Sequence, residues 1–428
     1  MANRNTFKFY VTYIFVALSF IVNAQNTWTP KASFAGGHRE AACGFVIGNT
    51  GYYSTGLSVD TDCGDLWGWN QTTNTWTKEA AFPAGVRMGS SGASLNGYGY
   101  LLGGEHPSNC FLAEHRASHG GVCGGTFFYD FWQYSPDSNA WTQLLSFPGG
   151  GRNYAVMVAD PQDTAIYYGT GNNNGVKYLD DWWVYKMSTS TWAQLDSFPG
   201  GPRYSAVGFY ANGSIYVGTG NDGDSTYGGT NDMWQYNIST GKWKQVASLP
   251  GAPRRMAAEF VMDNHAFICE GISGTAYLND MWQYDAVNDV WKAVAAYPQS
   301  GGYSATAFTI GNKGYVGLGT VALKDTSTFW EYTPSDTVLG VAAVKIIQGV
   351  SVYPSPSKGL LQLSYAGLAD NSQLKIIDIL GNTVDAHAIT SSQGVMKLNE
   401  TNLSNGIYFY QVISAGKQTN TGKFVIAR

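Results

Sequence analysis

Charge, histidine and long apolar runs are all scarce in this 428-residue chain. Only 13% of the residues are charged, which excludes the charge-laced composition of a helical or disordered chain. Acidic residues outnumber basic ones, 30 against 25. A basic surface is what phosphate binding requires, so nucleic acid is excluded as a partner. After residue 24 no stretch is apolar enough to span a bilayer, and no transmembrane anchor is expected in the mature chain. No Ser-His-Asp order and no phosphate-cradling loop stands out.

The one apolar run is at the start. Arg4 and Lys8 precede the stretch from Phe9 to Val22, and Val22-Asn23-Ala24 forms a small-residue cleavage site, so residues 1–24 read as a secretory signal peptide. Its removal takes the formal charge from −5 to −7. Five Cys in an exported chain point to disulfides with one thiol left over. The expected pairs are Cys110 with Cys123 and Cys43 with Cys63, leaving Cys269 as a buried inert thiol in an apolar strand.

What is abundant is glycine, tyrosine and tryptophan: 53, 28 and 14 residues, the composition of many short aromatic-rich strands joined by tight turns. They are ordered. Asp280-Met281-Trp282-Gln283-Tyr284 is followed by Trp291, and the same pattern recurs at Asp232 to Trp243, Asp181 to Trp192, Asp130 to Trp141 and Asp65 to Trp76, with the two Trp nine positions apart each time. Phe329-Trp330-Glu331-Tyr332 has a first Trp without a second, and Trp28 is a second without a first. Before each copy stands a loop such as Phe198-Pro199-Gly200-Gly201-Pro202-Arg203, then two alternating runs around a turn such as Asn212-Gly213, a strong hairpin signal. Each unit therefore holds four strands. From second Trp to second Trp the units measure 48, 65, 51, 51 and 48 residues, the period of propeller blades. Because the chain starts on a second Trp and ends on a first, the strand around Trp28 should complete the last blade beside Trp330 and leave no open edge.

With its paired glycines and its Tyr and Trp at fixed spacing, this region resembles the Kelch repeat, whose family fold is a β-propeller. The expected architecture is all-β: a six-bladed β-propeller over 25–336 closed by its N-terminal strand, a linker at 337–348, and a small Ig-like β-sandwich over 349–428. In that last segment Val350 to Pro356, Leu374 to Gly381, Leu403 to Phe409 and Gly422 to Ile426 are alternating strands with Gly turns. In order and spacing they resemble the C-terminal sorting domain of bacterial type IX secretion, with Ser355 where Asn usually stands between the two prolines. The resemblance implies passage to the outer-membrane surface or the medium, with the secretion machinery as the partner of 349–428.

Candidate chemistry falls in three places. Arg39, Arg87, Arg152, Arg203 and Arg254 recur in the loops entering the blades; they either ring one mouth as a cationic ligand-binding site or bond loop carbonyls and hold the blades together. Glu259 and Glu270 interrupt the fifth unit. If Asp263-Asn264 is a two-residue turn they share a sheet face and could do acid–base work; alternatively one of them is buried against Arg254 or Arg255. The insertion from Glu105 to Gly125 carries His106, Cys110, Glu114, His115, His119 and Cys123. His115 and His119 have a spacing used by zinc sites, though the Gly pairs nearby oppose a helix. Asn221-Asp222-Gly223-Asp224 offers oxygen ligands but lacks the later Glu of a calcium loop. No cofactor is otherwise implied.

The reading that follows is a secreted or surface-delivered module that binds an extracellular glycan or protein through its long-loop face. Kelch-like propellers also include sialic acid epimerases and galactose oxidase-type enzymes, so an epimerase of anionic sugars is the rival. The His residues are too scattered for a copper radical site.

Overall fold

Alternating apolar runs separated by residues that tolerate φ > 0 fold as hairpins. In the fifth unit Asp263 and Asn264 take φ of 48° and 62°, and Glu259 pairs with Ile268. The computed structural model describes residues 26–58, 61–106, 125–334 and 351–427, apart from short gaps at 163, 174–176, 224–227, 322, 354–356, 367, 369–371, 380, 392 and 415–416. The chain divides into two units, Met1–Asp336 and Thr337–Arg428.

In the first unit the described residues form six four-stranded antiparallel sheets, here called blades. Blade five is representative, with Ala258–Met262 innermost, then His265–Cys269, Met281–Asp285 and Val290–Val294. Blade six takes Thr306–Ile310, Lys313–Gly317 and Phe329–Thr333 from the end of the unit and Thr27–Pro30 from its start, with Trp28 opposite Tyr332. That register matches Tyr284 opposite Trp291 in blade five, so the N-terminal strand replaces the missing outer strand.

The aromatic positions explain why the ring closes. Each second Trp donates its indole N–H across to the preceding blade at 2.7–3.2 Å: Trp76 to the carbonyl of Ala32, Trp141 to Ala80, Trp192 to Leu145, Trp243 to Asp196, Trp291 to Ala247 and Trp28 to Ala295. The bond is the same across the closing seam as elsewhere. Inner-strand Phe residues pack over glycines of the next blade; a Cβ on Gly51 would sit 2.1 Å from Phe308, so that seam requires glycine.

The six inner strands enclose a central cavity of about 210 Å3, lined by equivalent segments that include Ala42, Ser90, Ala155, Ala206, Ala257 and Ala305. Its throat is a belt of backbone hydrogen bonds. Gly89 N–H donates to Ala41, Tyr154 to Gly89, Ser205 to Tyr154, Met256 to Ser205 and Ser304 to Met256, at 2.8–3.2 Å. All six belt residues have φ between 47° and 63°, a turn that swings the chain from the mouth down into the inner strand.

The second unit is a β-sandwich. One sheet holds Ser351–Tyr353, Leu360–Ala366 and Gln393–Asn399; the other holds Thr383–Ile389, Ser372–Ile377, Gly406–Ser414 and Lys417–Ile426. Leu361, Leu363, Leu374, Ile376, Val412 and Phe424 from the two sheets share one core.

Candidate functional site

The five repeated arginines do not form a cationic ring. Each is 0–2% exposed and turned into its own loop. The guanidinium forks onto the Asp two residues before the first Trp, at 2.5–3.1 Å: Arg39 onto Asp65, Arg87 onto Asp130, Arg152 onto Asp181, Arg203 onto Asp232 and Arg254 onto Asp280. A further N–H goes to the carbonyl of Thr55, Gly103, Thr170, Thr219 or Glu270. Four of the guanidinium groups lie over the loop Phe, for example Arg152 at 4.7 Å from the Phe147 ring. The same Asp accepts the indole N–H of the first Trp at 2.7–2.8 Å. Burial raises the pKa of Asp65, Asp232 and Asp280, but the Arg hydrogen bond and charge and the indole outweigh it, leaving each below the ordinary carboxylate value. With charge, fork and stacking face all engaged, the arginines are scaffold, and the expected cationic mouth is corrected accordingly.

One residue further along each loop the repetition stops. The positions after the arginines are Glu40, Met88, Asn153, Tyr204 and Arg255, with Tyr303 in blade six. Each pairs its backbone with the ribbon between the second and third strands of its blade: Glu40 with Leu57, Met88 with Glu105, Asn153 with Asn172, Tyr204 with Asn221, Arg255 with Ile272 and Tyr303 with Thr320. All six therefore gather at the mouth above the throat belt, where Tyr154 lays its ring over Gly89.

This mouth is polar, acidic and aromatic. Glu40, Glu105, Asn153, Asn221 and Arg255 are all buried. Asn153 Nδ2 donates to Glu105 Oε1 at 2.5 Å, and Thr320 Oγ1 donates to Glu40 Oε2 at 2.6 Å. Tyr154 is at the convergence: burial and then the charges of Glu40 and Glu105, with Tyr204 and Tyr303, push its hydroxyl well above the ordinary tyrosine value. Tyr178 and Tyr204 pack at 4.7 Å between ring centres; burial and Tyr204 push Tyr178 up to about 12, while the charge of Arg255 pulls the other way. One wall thus offers a cation beside two phenols, and the other offers two carboxylates.

The two glutamates of blade five do not form a pair. Their strand register is as expected, but Glu270 adopts φ 60° at the strand end, which turns its side chain off the face that carries Glu259. Glu259 lines the central cavity, where burial, partly offset by backbone hydrogen bonds, raises it to about 8. Glu270 is 1% exposed and burial alone raises it to about 8, with no contribution from Glu259. Neither bonds Arg254, which is committed to Asp280 and reaches only the backbone carbonyl of Glu270.

No bond joins Cys43 and Cys63. Cys43 is 2% exposed in the core with Phe45 and Leu66, its sulfur against Gly92 of blade two, whereas Cys63 lies in the loop whose N–H bonds Gly56. Cys269 is a buried thiol. Cys110, Cys123, Glu114, His115 and His119, the signal segment 1–24, Asp224 and the linker 337–348 lie outside the described residues. In the sandwich, Asp385, His387 and Glu400 bring one ligand atom each within 4.8 Å of one another, and His387 Nε2 lies 2.9 Å from Glu400 Oε1, a set that could hold a divalent cation.

Sequence reasoning missed the mouth because no one residue type repeats all the way around it. The signal was the position immediately after each aligned arginine, where six blades offer five different residue types.

Residues 148–319 match the KLHDC2/KLHL20/DRC7 Kelch-repeats domain, and residues 351–427 match the secretion system C-terminal sorting domain. An N-acetylneuraminate epimerase of Shigella sonnei (strain Ss046) is 34% identical over 97 residues, 21% of this chain and 26% of that protein. The protein of the same name from Escherichia coli (strain K12) is 33% identical over 97 residues, with the same coverage. The chain thus spans about a quarter of the length of these curated relatives. The solved structure of YjhT has the same fold, with a TM-score of 0.57 at 16% identity over 70% of this chain and 96% of that one. Among the described residues no helix is long and apolar enough to cross a membrane.

Proposed function

For a chain that carries a Kelch-repeat domain and a type IX sorting domain, and so travels to the cell surface or the medium, we propose that the mouth of the propeller binds an acidic sugar. The observation that carries this reading is the convergence of Glu40, Glu105, Tyr204 and Tyr303 on Tyr154, with Arg255 beside Tyr178. Phenol rings give flat faces for a pyranose ring, and their hydroxyls, with Asn153 and Asn221, match sugar hydroxyls. Arg255 places a guanidinium charge beside Tyr178 at the mouth, which attracts the carboxylate of an acidic sugar.

A second reading follows from the same groups. Interconverting the anomers of a reducing sugar requires one group to take a proton from the anomeric hydroxyl and another to deliver one to the ring oxygen. Glu40 or Glu105 with Tyr154 provides such a couple, and the partial similarity to N-acetylneuraminate epimerases favours this reading over oxidation.

Calorimetric titration of the full chain with N-acetylneuraminate, and with N-acetylglucosamine as the uncharged control, tests the binding. Selective binding of the acid, weakened in Arg255→Gln, supports it; equal or absent binding of both sugars rejects it. Exchange spectroscopy on the anomeric protons separates the readings, since a binding module leaves the anomer exchange rate at its uncatalysed value.

A further inference from the structure

Five blades fill one slot in the same way: an arginine from the entry loop forks onto the Asp before the first Trp and lies against an aromatic or aliphatic wall. Blade six has lost both partners. Gly302 stands at the arginine position and Thr328 at the aspartate position, while the wall is kept as Tyr297. Gln299 Nε2 donates to Thr328 Oγ1 at 2.9 Å, and other polar atoms of the slot are left over. The indole Nε1 of Trp330, which in the other blades donates to Asp, is buried without a partner, and Tyr297 Oη makes no hydrogen bond of normal geometry.

Into this slot the neighbouring blade sends Glu270. It occupies the position of Thr55, Gly103, Thr170, Thr219 and Leu318 in the other blades, none of which carries charge. Its Oε1 lies 3.0 Å from the point where a side chain on Gly302 would begin, its Oε2 is buried and unpartnered, and no ion pair to it occurs among the described residues. The carboxylate therefore points down the path that the arginine side chain follows in the other five blades. A buried carboxylate with no donor is costly unless a proton or a cation joins it.

We propose that the blade-six slot is a binding site for a guanidinium group, supplied by a small guanidino compound or by an arginine side chain of a binding partner. The slot retains what holds guanidinium elsewhere in this molecule: an aromatic wall at Tyr297, a backbone carbonyl at Leu318 in the position of Thr55, and an acid, now reaching across from blade five. A flat cation suits such a wall, as Arg152 does on Phe147 at 4.7 Å. A hard metal ion would need more oxygen ligands than the slot offers. In the loop from Tyr297 to Gly302 beside it, Pro298 and Ser300 are exposed. The groups facing Glu270 are Tyr297, Cys269 and, through the backbone carbonyl, Arg254. Burial holds Glu270 at about 8, so guanidinium binding strengthens as pH rises through that value.

The test is thermal unfolding of the full chain in methylguanidinium chloride and in N-acetyl-arginine amide, at constant ionic strength, with ammonium as the control cation. The expected result is a saturable rise of about 2 °C at ten times Kd, larger at pH 9 than at pH 6, and absent in Glu270→Gln. A rise with both probes marks a slot open to an arginine side chain; a rise with methylguanidinium alone marks a small-molecule site. The proposal is overturned if Glu270→Gln responds like the parent, or if neither guanidino probe exceeds ammonium, in which case the slot holds water only.

Discussion

Arg254 and Arg255 are adjacent in one loop and have opposite roles. The first repeats in five blades, is saturated by Asp280 and the carbonyl of Glu270, and belongs to the frame. The second has no counterpart in any other blade, faces the tyrosines of the mouth and belongs to the candidate site. The contrast holds around the ring: where the blades repeat the residue maintains the blade, and one step later, where they differ, the side chains gather at the mouth.

The strongest way to break this contrast is to remove a frame arginine. Arg152→Ala leaves the partly buried Asp181 carboxylate without its guanidinium partner, and a loss of about 3–5 kcal/mol in denaturant unfolding is expected. A loss under about 1 kcal/mol would place Arg152 among ordinary surface ion pairs. Next in size is the mouth. Arg255→Gln should weaken acidic-sugar affinity about 10- to 100-fold in calorimetry, the range for a charged hydrogen bond, with a smaller loss of stability than Arg152→Ala.

The pH dependence is smaller and has two signs. Asp65, Asp232 and Asp280 lie below their ordinary value in the folded protein, so their contribution is full above pH 4 or so and is lost as pH falls through the depressed pKa. Glu259 and Glu270 are raised from 4.5 to about 8, so the folded state holds extra protons between those values and stability declines as pH rises across that window. Melting curves of Glu259→Gln and Glu270→Gln should flatten the alkaline decline and leave the acid limb intact. The smallest effect is expected at the blade seams, where Trp291→Phe removes the bond to Ala247 and should cost about 1 kcal/mol beyond lost packing; calorimetric unfolding measures it.

The frame was legible in the sequence because aromatic residues at a fixed period must share a core and a register. Trp28 without a preceding partner and Trp330 without a following one implied the pairing now seen between Thr27–Pro30 and Phe329–Thr333. The direction of the arginines was not legible, since the Asp that captures each lies 26 to 43 residues away and nothing local decides between loop and solvent. For Glu259 and Glu270 the register was readable, but the conformation at Glu270 was not. Every second strand ends in a residue with φ > 0 before a glycine, from Thr55-Gly56 to Leu318-Gly319, and that turn separates the two carboxylates. The mouth escaped because recognition residues do not repeat, and a search for repeats passes over them.

The most direct test of the frame-and-mouth account is a paired measurement on Arg254→Lys and Arg255→Lys, recording melting temperature and N-acetylneuraminate affinity for each. Lysine keeps the charge and removes the fork. The account predicts a crossover, with Arg254→Lys showing the larger drop in melting temperature at unchanged affinity and Arg255→Lys the larger loss of affinity. Equal losses of both properties in the two variants, or the reverse assignment, would contradict it.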